Sequence, residues 1–210
     1  MDETRTTGRN DQQIISYLAL RKLIGLAGIF LPILLPIGCF IHGSDSVLQD
    51  SISDYYYTKS RDVFVGILFV LGFFLLTYRG YESVDSTFAN FGFVFAIDVA
   101  LFPCRSCFTA VRVIHFTSAG LLFAVFIWFS LVLFTKSDKP VPTRRKKQRN
   151  TVYLICGWIM VACIVGIGLS FMVFTQTQRA DYNIIFWLES VALWSFGYSW
   201  LTKGQFMLKD

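Results

Sequence analysis

Six long apolar blocks limit what this chain can fold into. They lie at about 23–41, 62–79, 88–103, 112–135, 151–174 and 183–201, and the longest gaps between them fall around 43–60 and 136–150. A helix needs about 20 apolar residues to cross a bilayer. The spacing predicts an all-α polytopic membrane protein, a six-transmembrane-helix bundle with no separate soluble domain. Composition agrees. Hydrophobic residues make up 54% of the chain and charged residues 16%, where soluble domains carry roughly 25% charged residues. That balance excludes a disordered chain and a disulfide-built mini-protein, and it weighs against a soluble enzyme.

The chain divides into a polar to amphipathic segment at 1–22, one transmembrane domain at 23–201 and a short tail at 202–210. The first 13 residues are polar and expected to be mobile. The first block reads as an uncleaved helix. Its positive pair, Arg21 and Lys22, comes late for a signal peptide, and no small-x-small cleavage site follows. Pro32 and Pro36 lie one turn apart in it and are expected to kink it. Neighbouring helices can satisfy the carbonyls they free.

Orientation follows from the basic residues. With the N-terminus inside, only Lys59, Arg61, Arg105, Arg112 and Arg179 of the 19 Lys and Arg fall on outer segments, leaving 14 inside. Short cytoplasmic loops carry such an excess, and the run PTRRKKQRN between the fourth and fifth blocks dominates it. Both termini are therefore expected in the cytoplasm, and the protein in the inner (plasma) membrane. Tyr55, Tyr56, Tyr57 and Trp187 then fall near the outer interface, and Tyr78, Tyr81, Tyr153 and Trp200 near the inner one, as aromatic belts do. The third block is short and holds Asp98. Without it the two ends would lie on opposite sides.

The basic run reads first as a topology signal, and second as an attraction for anionic headgroups. Nucleic acid is not expected as a partner, because no folded domain presents the run and no aromatic residues interleave with it. Ala162, Gly166 and Ser170 form a small-residue stripe on the fifth block, and Gly25 and Gly28 do the same on the first. Such stripes let helices approach closely. An internal contact is favoured, with a homo-oligomer or a membrane-protein partner as the alternative. Cys104 and Cys107, in PCRSC, are free thiols or a local disulfide. A zinc finger would need a second pair, which the sequence lacks.

The most informative feature is a set of ionisable residues at one depth. Asp62 opens the second block, Asp98 lies near the outer end of the third, His115 near the start of the fourth and Glu189 near the start of the sixth, with His42 ending the first. At 1.5 Å per residue all lie within about 10 Å of the outer boundary. Charged groups there face a bundle interior or a wet cavity and are functional candidates. The expected site is an outward-open pocket of Asp62, Asp98, His115, Glu189 and Ser118, with Arg61 or Arg112 as counter-charge. Leu193, Phe196, Gly197 and Trp200 would give it an apolar floor. The loop residues Ser53, Asp54, Tyr55, Tyr56 and Tyr57 form either a lid over it or an interfacial anchor.

The segments SISDYYYTKSRDVFVG, TYRGYE, ALFPC and ESVALWSFGYSWLTKG resemble a family of small uncharacterised bacterial inner-membrane proteins with six helices. That resemblance implies a fold and a location, and no activity. A second likeness is to membrane-embedded zinc amidases, the alkaline ceramidases and the adiponectin-receptor group. It would assign zinc chemistry to Ser53, to Asp98 or Asp62, and to His42 and His115, but the His-xxx-His pair and a seventh helix are missing. The sequence therefore points to a membrane protein that binds a lipid or other amphiphile, with no cofactor expected. The alternatives are a metal-dependent intramembrane hydrolase, with zinc on His42 and His115, and a small transporter or channel subunit.

Overall fold

The computed structural model describes the backbone of residues 3–44, 46–78, 83–137 and 143–206, with side chains from Leu18 onward. Arg79, Tyr81, Lys139 and the tail from Met207 lie outside the described residues. All regular structure among the described residues is helical: α1 (Glu3–Ile41), α2 (Arg61–Thr77), α3 (Ser83–Leu101), α4 (Thr109–Trp128), α5 (Arg144–Val173), α6 (Gln176–Asp181) and α7 (Ile184–Lys203). A 3₁₀ turn, Ser53–Tyr57, precedes α2, and a π turn, Phe129–Leu133, prolongs α4. The helices α1, α3, α4, α5 and α7 are each long and apolar enough to cross a membrane, consistent with a multi-pass membrane protein. The second apolar block gives α2, with 17 residues, about 25 Å at 1.5 Å per residue.

Several boundaries differ from those expected. The helix α1 starts at Glu3, so helical backbone continues through the segment expected to be mobile, and the helix runs on through Pro32 and Pro36. Its 39 residues reach about 58 Å, well beyond an apolar slab of about 30 Å. The run RRKKQRN is helical too. Thr143 caps α5, its side chain accepting from the Lys146 N–H, and a Thr at this position satisfies one of the orphan donors of a first turn. The short helix α6 was not expected. It starts at a capping box in which Thr175 and Gln178 exchange side-chain and backbone bonds.

The bundle alternates direction, so the connections gather at two ends. One end, here called the upper, carries residues 42–60, 102–108 and 174–183; the lower carries the start of α3, the end of α4 and the start of α5. In the helix pairs, α1 packs on α7, α7 on α5, α2 on α3, α3 on α4, and α1 on α2. Helix packing in lipid depends on close approach, because lipid is as apolar as leucine, and glycine supplies it here. A Cβ on Gly25 would meet the Gly197 carbonyl at 2.8 Å, and one on Gly197 would meet the Gly25 carbonyl at 2.5 Å. The expected stripe on α1 is thus an internal contact. On α5 it is internal in part: Gly166 faces Leu188 of α7 and Ser170 is buried, while Ala162 is exposed.

The lower half holds an aromatic core. Tyr78, Phe129, Phe134, Tyr153 and Trp200 are all within 1% of full burial. Trp200 lies 5.4 Å from Tyr78, 5.3 Å from Phe129 and 5.0 Å from Phe134 between ring centroids, within the favoured range for aromatic pairs. The expected belt is therefore corrected: Tyr78, Tyr153, Trp200 and also Tyr55 are core residues, and Tyr57 and Trp187 are half exposed. At the same level Ser130 of the π turn donates to Ser199 of α7 at 2.9 Å. Leu131 fits against Gly157 of α5. These contacts close α4 against its neighbours below, and α4 and α5 part above them.

Candidate functional site

The parting of α4 from α5 creates a cavity of about 650 Å³ under the upper connections, a size typical of small-ligand sites. Its polar wall comes from Asp50, Ser51, Ser53, Asp54, Arg105, His115, Gln176, Arg179 and Glu189. Its apolar wall comes from Phe116, Ala119, Gly120 and Phe123 of α4, facing Ile164, Ile167 and Phe171 of α5. Ala119 lies about 15 Å below the start of α4, and Ile164 about 13 Å below the end of α5. The cavity is thus a polar chamber that continues down an apolar groove between two helices. A Cβ on Gly120 would meet nothing within 4 Å, so the groove is open at that point.

The connection after α1 builds the chamber. Ile52, Ser53, Asp54 and Tyr55 are buried. Tyr55 donates its hydroxyl to the Val47 carbonyl at 2.9 Å, and burial holds the Tyr55 phenol above its ordinary pKa. Ser60 reaches back to α1, donating to the Leu35 carbonyl at 2.7 Å. Gly38 leaves room for that hydroxyl. The Phe186 N–H donates to the Asp50 carbonyl at 3.0 Å. The 3₁₀ turn is therefore packed into the bundle end, and Ser53 and Asp54 form part of the chamber wall.

An ion-pair cluster locks this turn to the α3–α4 connection. Arg105 Nε lies 2.7 Å from Asp54 Oδ1, and its Nη2 lies 3.5 Å from Asp50 Oδ2. The Arg105 N–H donates to the Tyr57 hydroxyl at 2.8 Å. Hydrogen bonding to Asp54 raises the Arg105 pKa further, so the guanidinium stays charged. Cys104 donates its thiol to Asp54 Oδ1 at 3.4 Å. Burial, with Asp54 nearby, pushes that thiol up to about 12. Cys104 and Cys107 are both free, the first buried and the second exposed, so the disulfide alternative gives way to thiols.

Two of the four expected ionisable residues, Glu189 and His115, line the cavity. Glu189 Oε2 accepts the Ile52 N–H at 2.6 Å, which ties α7 to the turn. His115 is 2% exposed, and its Nδ1 lies 2.6 Å from the Phe102 carbonyl. A carbonyl only accepts, so Nδ1 carries the proton of the bond. The buried Nε2 has no partner, and in the neutral ring it is a bare acceptor. The other expected residues lie elsewhere. Asp98 is engaged by Ser118, whose hydroxyl donates to it at 3.0 Å, and neither lines the cavity. Asp62 is exposed at the start of α2. Arg61 is exposed and stacks on Tyr56, 4.4 Å from the ring centroid. Arg112 is exposed and donates to Thr109. The cations in the wall are Arg105, paired with Asp54 and Asp50, and Arg179. His42 is exposed where α1 ends, and among the described residues no three His, Cys, Asp or Glu are grouped to hold a metal ion.

Sequence reasoning missed Asp50, Arg105 and Arg179. The available signal was charge complementarity: a connection with Asp50 and Asp54 faces one that carries Arg105 alone. Arg179 caps the end of α5, donating to the Ser170 and Phe174 carbonyls, and it lies 4.4 Å from the Phe171 ring centroid. Of the predicted floor, Leu193 lines a small apolar void of about 40 Å³ beneath Glu189 and Ser53. Phe196 stacks on Phe126 and Gly197 crosses α1.

No protein-family model, curated protein or solved structure matches this chain.

Proposed function

We propose that this is a six-span membrane protein with both termini in the cytoplasm, and that its cavity, open toward the outer face, binds a lipid or other single-chain amphiphile. The carrying observation is the joining of a polar chamber to an apolar groove in one cavity of about 650 Å³. An amphiphile has the same division, and sites for such ligands combine apolar lining with a few placed polar groups. Phe116 and Phe171, 61% and 58% exposed, flank the groove where a chain would enter from the surrounding lipid. The six-span count rests on α2 crossing despite its 17 residues, and the orientation on the 14 inner basic residues of 19.

Two experiments test the reading. Reporter fusions after residues 80 and 210 should both read cytoplasmic; a fusion after 210 reading outside would remove the six-span count. A fluorescent C12-chain probe should bind saturably to the protein in lipid nanodiscs. Gly120→Trp fills the groove where nothing lies within 4 Å and should abolish that binding while the protein keeps its thermal stability. Equal binding by the Gly120→Trp variant would place the chain elsewhere.

A further inference from the structure

The charges in the chamber wall are not balanced. Arg105 is shared by two carboxylates, Asp54 at 2.7 Å and Asp50 at 3.5 Å. Glu189 accepts the Ile52 N–H and has no ion pair among the described residues. Arg179 sits on the opposite rim, with its guanidinium on helix-end carbonyls and the Phe171 ring. The side of the chamber built by the turn and α7 is therefore acidic. His115 lines the same cavity and is 2% exposed, but its unpartnered Nε2 is itself buried and out of a ligand's reach. A carboxylate without a cation asks one thing of a ligand: a positively charged group rich in N–H bonds. His115 marks where the chamber meets the groove, since Ala119 and Gly120, one turn below it, already belong to the apolar wall.

We infer that the ligand is a long-chain amine, an amphiphile whose chain begins at an ammonium group seated against Glu189. The inference rests on the proposed binding of an amphiphile and adds the class of its head. It predicts discrimination among ligands of equal chain length. Hydrogen bonds to charged groups contribute about 1.5–3 kcal/mol, which corresponds to about tenfold or more in affinity.

The experiment is competition against the bound fluorescent C12-chain probe, in nanodiscs, by dodecylamine, dodecanol and dodecanoate, with empty nanodiscs as background. Dodecylamine should displace the probe at a concentration about tenfold below the other two. Glu189→Gln keeps an oxygen for the Ile52 N–H, so the variant should fold and bind the probe, but its preference for the amine should fall to within about twofold. Equal displacement by all three ligands would overturn the amine reading and leave amphiphile binding standing. Preference for dodecanoate would overturn it in favour of Arg179. Failure of the probe to bind at all would overturn both readings.

Discussion

Replacing Gly197 with Ala should loosen the contact between α1 and α7 more than the same change at any other described glycine. The added Cβ would lie 2.5 Å from the Gly25 carbonyl, 2.6 Å from the Ile29 side chain and 3.0 Å from the Ile29 backbone nitrogen. Two of these three atoms are backbone, so no rotamer change relieves them. Ordinary contact begins at 3.4 Å, so the two helices must part by about 0.9 Å. A gap of about 0.5–1 Å forfeits a quarter to a half of each dispersion contact along the seam. Overpacking typically costs about 1–3 kcal/mol, and the upper part of that range applies because packing, with little hydrophobic drive, holds helices together in lipid. Gly168→Ala is the control, since a Cβ there meets nothing within 4 Å. It should be neutral or stabilising by up to about 1 kcal/mol, the helical advantage of Ala over Gly. Thermal unfolding of both variants in one detergent, followed by tryptophan fluorescence, reads the difference. If Gly197→Ala melts with Gly168→Ala, close helix crossing does not govern the stability of this bundle.

Further outcomes follow from the upper end. Gly38→Ala should destabilise by crowding the Ser60 hydroxyl, and the added substitution Ser60→Gly should recover part of the loss; additive effects in the double-mutant cycle would contradict that contact. Arg105→Ala should cost about 1–2 kcal/mol by leaving the buried Asp54 carboxylate without its cation, whereas Asp50→Ala, at an exposed 3.5 Å pair, should cost less than about 1 kcal/mol; chemical denaturation compares them. Maleimide should label Cys107 rapidly and Cys104 slowly at pH 7 to 9, because a thiol held near pH 12 exposes little thiolate in that range. Equal rates at the two cysteines would show that Cys104 is not packed against Asp54.

The helices were legible because a membrane span announces itself by length and apolarity alone. All six apolar blocks became helices, and Gly25 and Gly28 were recognisable as contact residues by their size. Helix ends in polar sequence were not legible. The helical backbone of α1 from Glu3 and of α5 from Arg144 continues through charged residues that carry no apolar period, although Thr143 offered a cap. Depth along a helix correctly brought His115 and Glu189 to one cavity, but depth fixes height and leaves rotation free. Asp98 turned toward Ser118, while Asp62 and Arg112 turned outward. The Asp54–Arg105 pair joins residues 51 positions apart in two connections whose meeting depends on the whole bundle. The buried tyrosines show the same limit: an aromatic residue near a helix end suits an interface or a core, and only packing decides.

The most direct test of amphiphile binding is photo-crosslinking in lipid nanodiscs, using a dodecylamine that carries a diazirine at its chain end and mapping the adducts by peptide mass spectrometry. Adducts should concentrate on residues 116–123 of α4 and 164–171 of α5, the two sides of the groove, and should disappear in Gly120→Trp. Adducts spread evenly over lipid-facing residues such as Val70, Phe91 and Trp158, and unchanged in that variant, would contradict it.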